Sequence, residues 1–169
     1  MGDVSELGVY KGNTCIFVGG LRKTHTGKTA YLLDTFSGFS ADDISGIDRD
    51  KSTGFADTSL SAVKKFVGRD NVIFVEGKFP ELASKMPDGL KVSLVHIDCD
   101  LFAPMLAALE YFYPRLMPGC FLVLHDYASL VWNGTEKAID QFIADKCEKL
   151  VPIPDKSGTA VLRKMSPRS

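Results

Sequence analysis

The stretch LVHIDCDLF, residues 94–102, decides how this chain is read. It opens as an apolar, β-branched run of the kind buried in a sheet, and it closes with two aspartates around Cys99. A second run, CFLVLHDY (120–127), is built the same way and ends in His125–Asp126. Near-continuous apolar strands belong to parallel sheets covered by helices on both faces. In such sheets ligands bind beyond the C-terminal strand ends, where the strand order reverses. With these two strands as neighbours, Asp98 and Asp126 project into one crevice.

Strand-like and helix-like segments alternate around this pair. DVSELGV (3–9) reads as the first strand, and Asn13 or Thr14 caps a helix through about Lys23. TAYLLDTF (29–36) is the second strand. The polar stretch from Ser37 to Asp57 is long enough for a functional loop. SLSAVKKFV (59–67) is a helix with Leu60, Val63 and Phe66 on its inner face. NVIFVEG (71–77) is the third strand, PELASKM (80–86) a short helix and KVSLVHID (91–98) the fourth strand. A helix then starts near Pro104, with Leu106, Leu109 and Phe112 inward. CFLVLHD (120–126) is the fifth strand. GTEKAIDQFIADKCEKL (134–150) is an amphipathic helix with Ala138, Ile139, Phe142 and Ile143 inward. VPIP and TAVLRK form a hairpin around DKSG (155–158). The expected architecture is α/β, with a mostly parallel central sheet, helices on both faces and a C-terminal antiparallel hairpin, in a single domain over residues 1–169.

Composition narrows the function classes. At 45% hydrophobic and 24% charged residues, with net charge −1, nothing points to a nucleic-acid or membrane surface. The start, MGDVSELGVYKG, has no charged-then-apolar leader, so secretion is not expected. None of the four cysteines forms a C-x-x-C pair, which favours buried thiols in a reducing cytoplasm over disulfides or a zinc cluster.

Four motifs bear on chemistry. THTGKTA (24–30) contains Gly27-Lys28-Thr29 but has Arg22 where a phosphate-binding loop needs glycine, and it enters a strand rather than leaving one. Gly27 there is a helix stop in the left-handed region. In ELGVYKGNT (6–14), Gly8 and Gly12 bracket a turn where backbone would approach a ligand, or simply a structural turn. Asp34 ends the second strand, a place where an acid accepts hydrogen bonds from ribose hydroxyls. Asp98, Asp100, His125 and Asp126 form the last group, whose carboxylates suit a divalent cation. His96, inside its strand, reads as a hydrogen-bonded core histidine.

Taken in order, GDVSELGVYKGNT, LLDTFSGF, NVIFVEGKFPE, VHIDCDLFAPMLAALEYFYPRLMPG and LHDYASLVWNGTEKAIDQF resemble the macrocin O-methyltransferase (TylF-like) family. That family belongs to the class I S-adenosylmethionine-dependent methyltransferases, and its members methylate hydroxyls of sugars and related natural products. The resemblance implies a Rossmann-like methyltransferase fold, with S-adenosylmethionine as cofactor and a small-molecule acceptor. It implies that Glu6, Gly8 and Gly12 shape the cofactor turn, and that Asn13 and Thr14 meet the methionine end. Asp34, Thr35 and Ser37 would hold the ribose, and Gly77 and Phe79 would flank the adenine. Asp98, His125 and Asp126 would carry magnesium, with Asp98, and alternatively His125, as catalytic base.

Two departures stand out. The family's D-D-Y is His125-Asp126-Tyr127 here, and imidazole suits zinc, iron, nickel or copper better than magnesium. The family also carries a segment before the first strand. Its lack implies a more open pocket or a lid lent by a second subunit of a homo-oligomer. A non-catalytic or truncated relative, or a fragment, that binds the adenosyl cofactor or a partner protein is the alternative. A nicotinamide dehydrogenase fits the fold but not the glycine spacing. The acceptor is expected at Ser37–Asp57 and Ser129–Gly134. Trp132 and Tyr127 either line that pocket or pack on the last helix.

Overall fold

A computed structural model of the chain describes residues 2–15, 27–68 and 71–166. The helix expected through about Lys23 falls mainly outside the described residues. Among the described residues are seven strands: β1 (Asp3–Leu7), β2 (Ala30–Asp34), β3 (Val72–Glu76), β4 (Val92–Ile97), β5 (Leu116–Leu124), β6 (Leu150–Pro152) and β7 (Ala160–Arg163). Three α-helices lie wholly within the described residues: α1 (Leu60–Val67), α2 (Phe102–Arg115) and α3 (Asn133–Ile143). The sheet order is β3-β2-β1-β4-β5-β7-β6. β1 to β5 run parallel, and β7 is antiparallel to both β5 and β6. The expected parallel sheet and closing hairpin are therefore both present. No helix among the described residues is long and apolar enough to cross a membrane.

Both faces of the sheet are covered, as the apolar runs require. Within β2, Ala30 and Leu32 point to a core that includes Val63 of α1, while Tyr31 and Leu33 point to the larger core under α2 and α3. The order reverses between β1 and β4, and backbone stitches this point one step past the ladder. Asp98 N donates to Leu7 O at 2.8 Å, and His125 N donates to Ile97 O at 3.0 Å. Gly8 adopts φ +86°, and a Cβ there would lie 1.6 Å from Asp98 O. Only glycine lets the ends of β1 and β4 come this close.

Several expectations shift. Phe66 is 56% exposed, and α1 buries Val63, with Leu60 and Val67 partly covered beside it. A two-turn helix at the sheet margin has only a narrow inner stripe, and Phe66 falls off its edge. In α2 the buried residues are Met105, Ala108, Leu109 and Phe112, so Met105 takes the place expected of Leu106. PELASKM folds as a 3-10 turn over Glu81–Lys85 rather than an α-helix. β5 starts at Leu116, before the expected Cys120, across an irregularity in its register with β4 that contains Gly119 at φ +80°. α3 ends at Ile143, not Leu150, because Leu150 is taken into β6 and pairs with Leu162.

Candidate active site

A cavity of about 240 Å³ opens over the C-terminal ends of β1, β2, β4 and β5. Its wall includes Gly8, Asp34, Thr35, Gly77 and Phe79. Asp98, Asp100, His125 and Asp126 line it from the β4 and β5 side. The remaining sequence candidates lie elsewhere. Ser37 lines an adjoining recess with Lys78 and Asp43. Gly12, at φ +85°, turns its Cα toward Val63, Phe66 and Val67 of α1. Asn13 is exposed and Thr14 half-buried, and neither borders the cavity. Glu6 is fully buried below the turn. Its Oε2 accepts from Cys15 Sγ at 2.9 Å, and its Oε1 is 3.3 Å from His96 Nδ1. His96 is thus the hydrogen-bonded core histidine its position suggests.

Asp34 shapes the turn after β1. Its Oδ2 accepts from the amides of Val9 at 2.6 Å and Tyr10 at 2.8 Å, and its Oδ1 accepts from Phe36 N at 2.6 Å. An ionised carboxylate offers about four acceptor positions, so three amides leave about one for a ligand hydroxyl.

At the other end, His125 Nδ1 lies 2.7 Å from Asp126 Oδ2 and 2.9 Å from Asp98 Oδ1. The hydrogen bond to Asp126, followed by that to Asp98, pushes the imidazole pKa up to about 10. Asp100 and Asp126 hold left-handed backbone, with φ 60° and 59°. Aspartate enters this region more readily than most residues. Burial, then the charge of Asp98, pushes the Asp100 carboxyl up to about 8. Ligand atoms of Asp98, His125 and Asp126 all lie within 4.8 Å of one another. Two carboxylates and one imidazole in that span fit a divalent cation, with the imidazole favouring a transition metal over magnesium.

The outer wall is aromatic. Phe39, Phe55 and Trp132 line the cavity with Tyr10. Phe55 packs on Tyr10 at 5.2 Å and on Phe39 at 5.3 Å between ring centroids, and Phe39 meets Trp132 at 6.0 Å. Tyr10 and Phe55 both have left-handed backbone, with φ 49° and 61°. That conformation costs a bulky residue about 1–2 kcal/mol, and such outliers concentrate at sites where side chains must be aimed. Tyr127 instead donates to Asp140 Oδ1 at 2.8 Å and packs with the last helix. Phe39 and Phe55 fall within the stretch expected to meet the acceptor, but none of the motifs read from the sequence singles out either of them or Tyr10. A signal was present in the repeated triplets Ser37-Gly38-Phe39 and Thr53-Gly54-Phe55, whose glycines touch: a Cβ on Gly38 would be 2.2 Å from Gly54 O.

Comparison with known proteins adds to this geometry. Residues 1–155 match the family described as Macrocin-O-methyltransferase (TylF). A mycinamicin III 3''-O-methyltransferase from Micromonospora griseorubida is 30% identical over 141 residues, 75% of this chain and 55% of that protein. A tetracenomycin-C 4'-O-methyltransferase acting on a rhamnosyl derivative, from Streptomyces olivaceus, is 30% identical over 140 residues, 75% of this chain and 53% of that protein. The chain thus spans about half the length of the curated relatives it matches. Among solved structures, the O-methyltransferase NovP superposes with a TM-score of 0.83 at 21% identity, covering 98% of this chain and 73% of that one. A calicheamicin methyltransferase superposes at 0.78 and 22% identity, covering 96% and 72%. These likenesses make the fold a Rossmann-like methyltransferase fold, with the antiparallel β6–β7 pair at its end.

Proposed function

The chain belongs to the macrocin-O-methyltransferase (TylF) family, and on that premise we propose that it is an S-adenosylmethionine-dependent O-methyltransferase acting on a hydroxyl of a sugar or natural product. The observation that carries this reading is the convergence of Asp98, His125 and Asp126 on the same cavity as Gly8 and Asp34, across the switch point of the sheet. Gly8, Asp34, Thr35, Gly77, Phe79 and Asp98 are the proposed cofactor contacts, with Glu6 and Gly12 supporting the turn from behind. Roles for Asn13, Thr14 and Ser37 rest on the family resemblance alone. Asp98, His125 and Asp126 would hold a divalent ion.

When bound, S-adenosylmethionine supplies an electrophilic methyl on a sulfonium, and the ion lowers the pKa of a bound hydroxyl. The chain's residues must then position and deprotonate. Gly8 allows close backbone approach, and Asp34 fixes the amides of Val9 and Tyr10. Asp98 would take the acceptor hydroxyl's proton on a carboxylate oxygen, leaving the hydroxyl oxygen as the nucleophile toward the cofactor's methyl group. Phe39, Phe55 and Trp132 exclude water from this end. We place the protein in the cytoplasm, as one domain with a small-molecule acceptor.

A second reading is a non-catalytic adenosyl-binding relative. It is favoured by His125 already satisfying both carboxylates through one nitrogen. Calorimetric titration with S-adenosylhomocysteine and divalent ions separates the two. Ion binding that disappears in Asp98→Asn supports the enzyme, and cofactor binding with no ion binding supports the relative.

A further inference from the structure

Asp48 ends a 3-10 turn (Gly46–Asp48) in the middle of the loop between β2 and α1, and it is only 2% exposed. A loop carboxylate is ordinarily in water, so its burial asks for a reason. Its Oδ2 accepts from the amide of Phe102, the first residue of α2, at 2.7 Å. Its Oδ1 has no hydrogen-bond partner among the described residues and lies against Gly134, where a Cβ would be only 2.2 Å away. Gly134 is the second residue of α3. One carboxylate therefore sits at the N-terminal turns of both helices that follow β4 and β5, where the helix dipoles favour a negative charge. Glycine in a helix costs up to about 1 kcal/mol relative to alanine, and at 134 it makes room for Asp48.

The same loop is tied at other points. Phe39 N donates to Gly54 O at 3.2 Å, which brings its two ends together as in an Ω-loop. Lys51 N donates to Asp48 O at 2.9 Å. The Lys51 ammonium donates to Val131 O and stands 5.3 Å from the centroid of the Trp132 ring. Asp48 is the tie that reaches the buried framework.

We propose that Asp48 is a positioning residue of the candidate active site: by latching the loop 37–57 to the N-termini of α2 and α3, it holds Phe39 and Phe55 against Trp132 over the cavity. The latch itself follows from the packing. Its consequence for ligand retention rests on the proposed function.

Trp132 is the chain's single tryptophan, so its fluorescence reports this contact directly. The test uses the full chain, with circular dichroism as the check of fold, and S-adenosylhomocysteine as the ligand probe. Asp48→Ala and Gly134→Ala, which evicts the carboxylate from the opposite side, should each raise acrylamide quenching of Trp132 by about twofold or more through local opening. Each should weaken S-adenosylhomocysteine binding by about tenfold. Asp48→Asn retains an acceptor for Phe102 N and should fall between these variants and the wild type. In the Asp48→Ala background, Gly134→Ala should add nothing, since both changes break one contact. Should Asp48→Ala fail to fold, Gly134→Ala and Asp48→Asn carry the same comparison. Unchanged Trp132 quenching in folded variants overturns the latch, as does full additivity of the two changes. Increased quenching in variants of a protein that binds no S-adenosylhomocysteine upholds the latch and removes the functional reading instead.

Discussion

The cavity has two walls made in different ways. The inner wall is the strand-end framework that carries Gly8, Asp98, His125 and Asp126. It is fixed by parallel ladders and by amide bonds that continue one step past them. The outer wall is the loop 37–57, held by the buried Asp48 carboxylate, by Lys51, by the Asp43–Lys78 and Asp57–Lys11 ion pairs and by edge-to-face aromatic contacts. The inner wall can move only with the sheet, whereas the outer wall can open by losing a few contacts. A site divided this way keeps its reacting groups in fixed register and leaves access to a part that can swing.

The comparison can be broken most severely on the inner side. Gly8→Ala puts a methyl into Asp98 O and forces a left-handed alanine. Loss of about 4 kcal/mol or more is expected, since strain and overpacking combine. Thermal denaturation should show a melting temperature lower by roughly 10 °C or more. Next in size, Asp98→Asn should weaken divalent-ion binding by about a hundredfold, or ~2.7 kcal/mol, and S-adenosylhomocysteine binding by less, about several-fold. Calorimetry reads both.

How well each wall could be read from the sequence follows the same division. The strand ends were legible because LVHIDCDLF and CFLVLHDY place chemistry directly after continuous apolar runs, and parallel pairing then fixes where Asp98 and Asp126 go. The outer wall was not, because its contacts join positions far apart in sequence. Asp48 meets Phe102 and Gly134, and Phe39 meets Trp132, with no periodicity to announce them. Asp34 shows a subtler limit. Its position at a strand end suggests a ribose contact, but position alone does not show that the same carboxylate also accepts from three backbone amides and so shapes the turn.

The pH dependence sharpens the account of the inner wall. The folded pKa of His125 is raised from 6.5 to about 10. Its stabilising contribution is therefore fully present below pH about 6.5 and is lost as pH rises toward 10. Asp100, raised from 3.8 to about 8, opposes folding increasingly across that interval, so its effect has the same sign. After chelation, the melting temperature should fall as pH is raised from 6.5 to 10, and His125→Gln should flatten that fall. On the outer wall, Phe55→Ala should weaken S-adenosylhomocysteine binding only by several-fold, or about 1 kcal/mol, because it removes contacts from a wall that is already separable. Smallest of all, Phe66→Ser lies outside both walls and should change stability by no more than about 0.5 kcal/mol.

The most direct test of the central claim is isothermal titration of the folded chain with S-adenosylhomocysteine, first after chelation and then with magnesium, manganese or zinc. The account predicts micromolar binding of S-adenosylhomocysteine and a separate divalent-ion site that disappears in Asp98→Asn. A folded protein that binds S-adenosylhomocysteine under none of these conditions would contradict it.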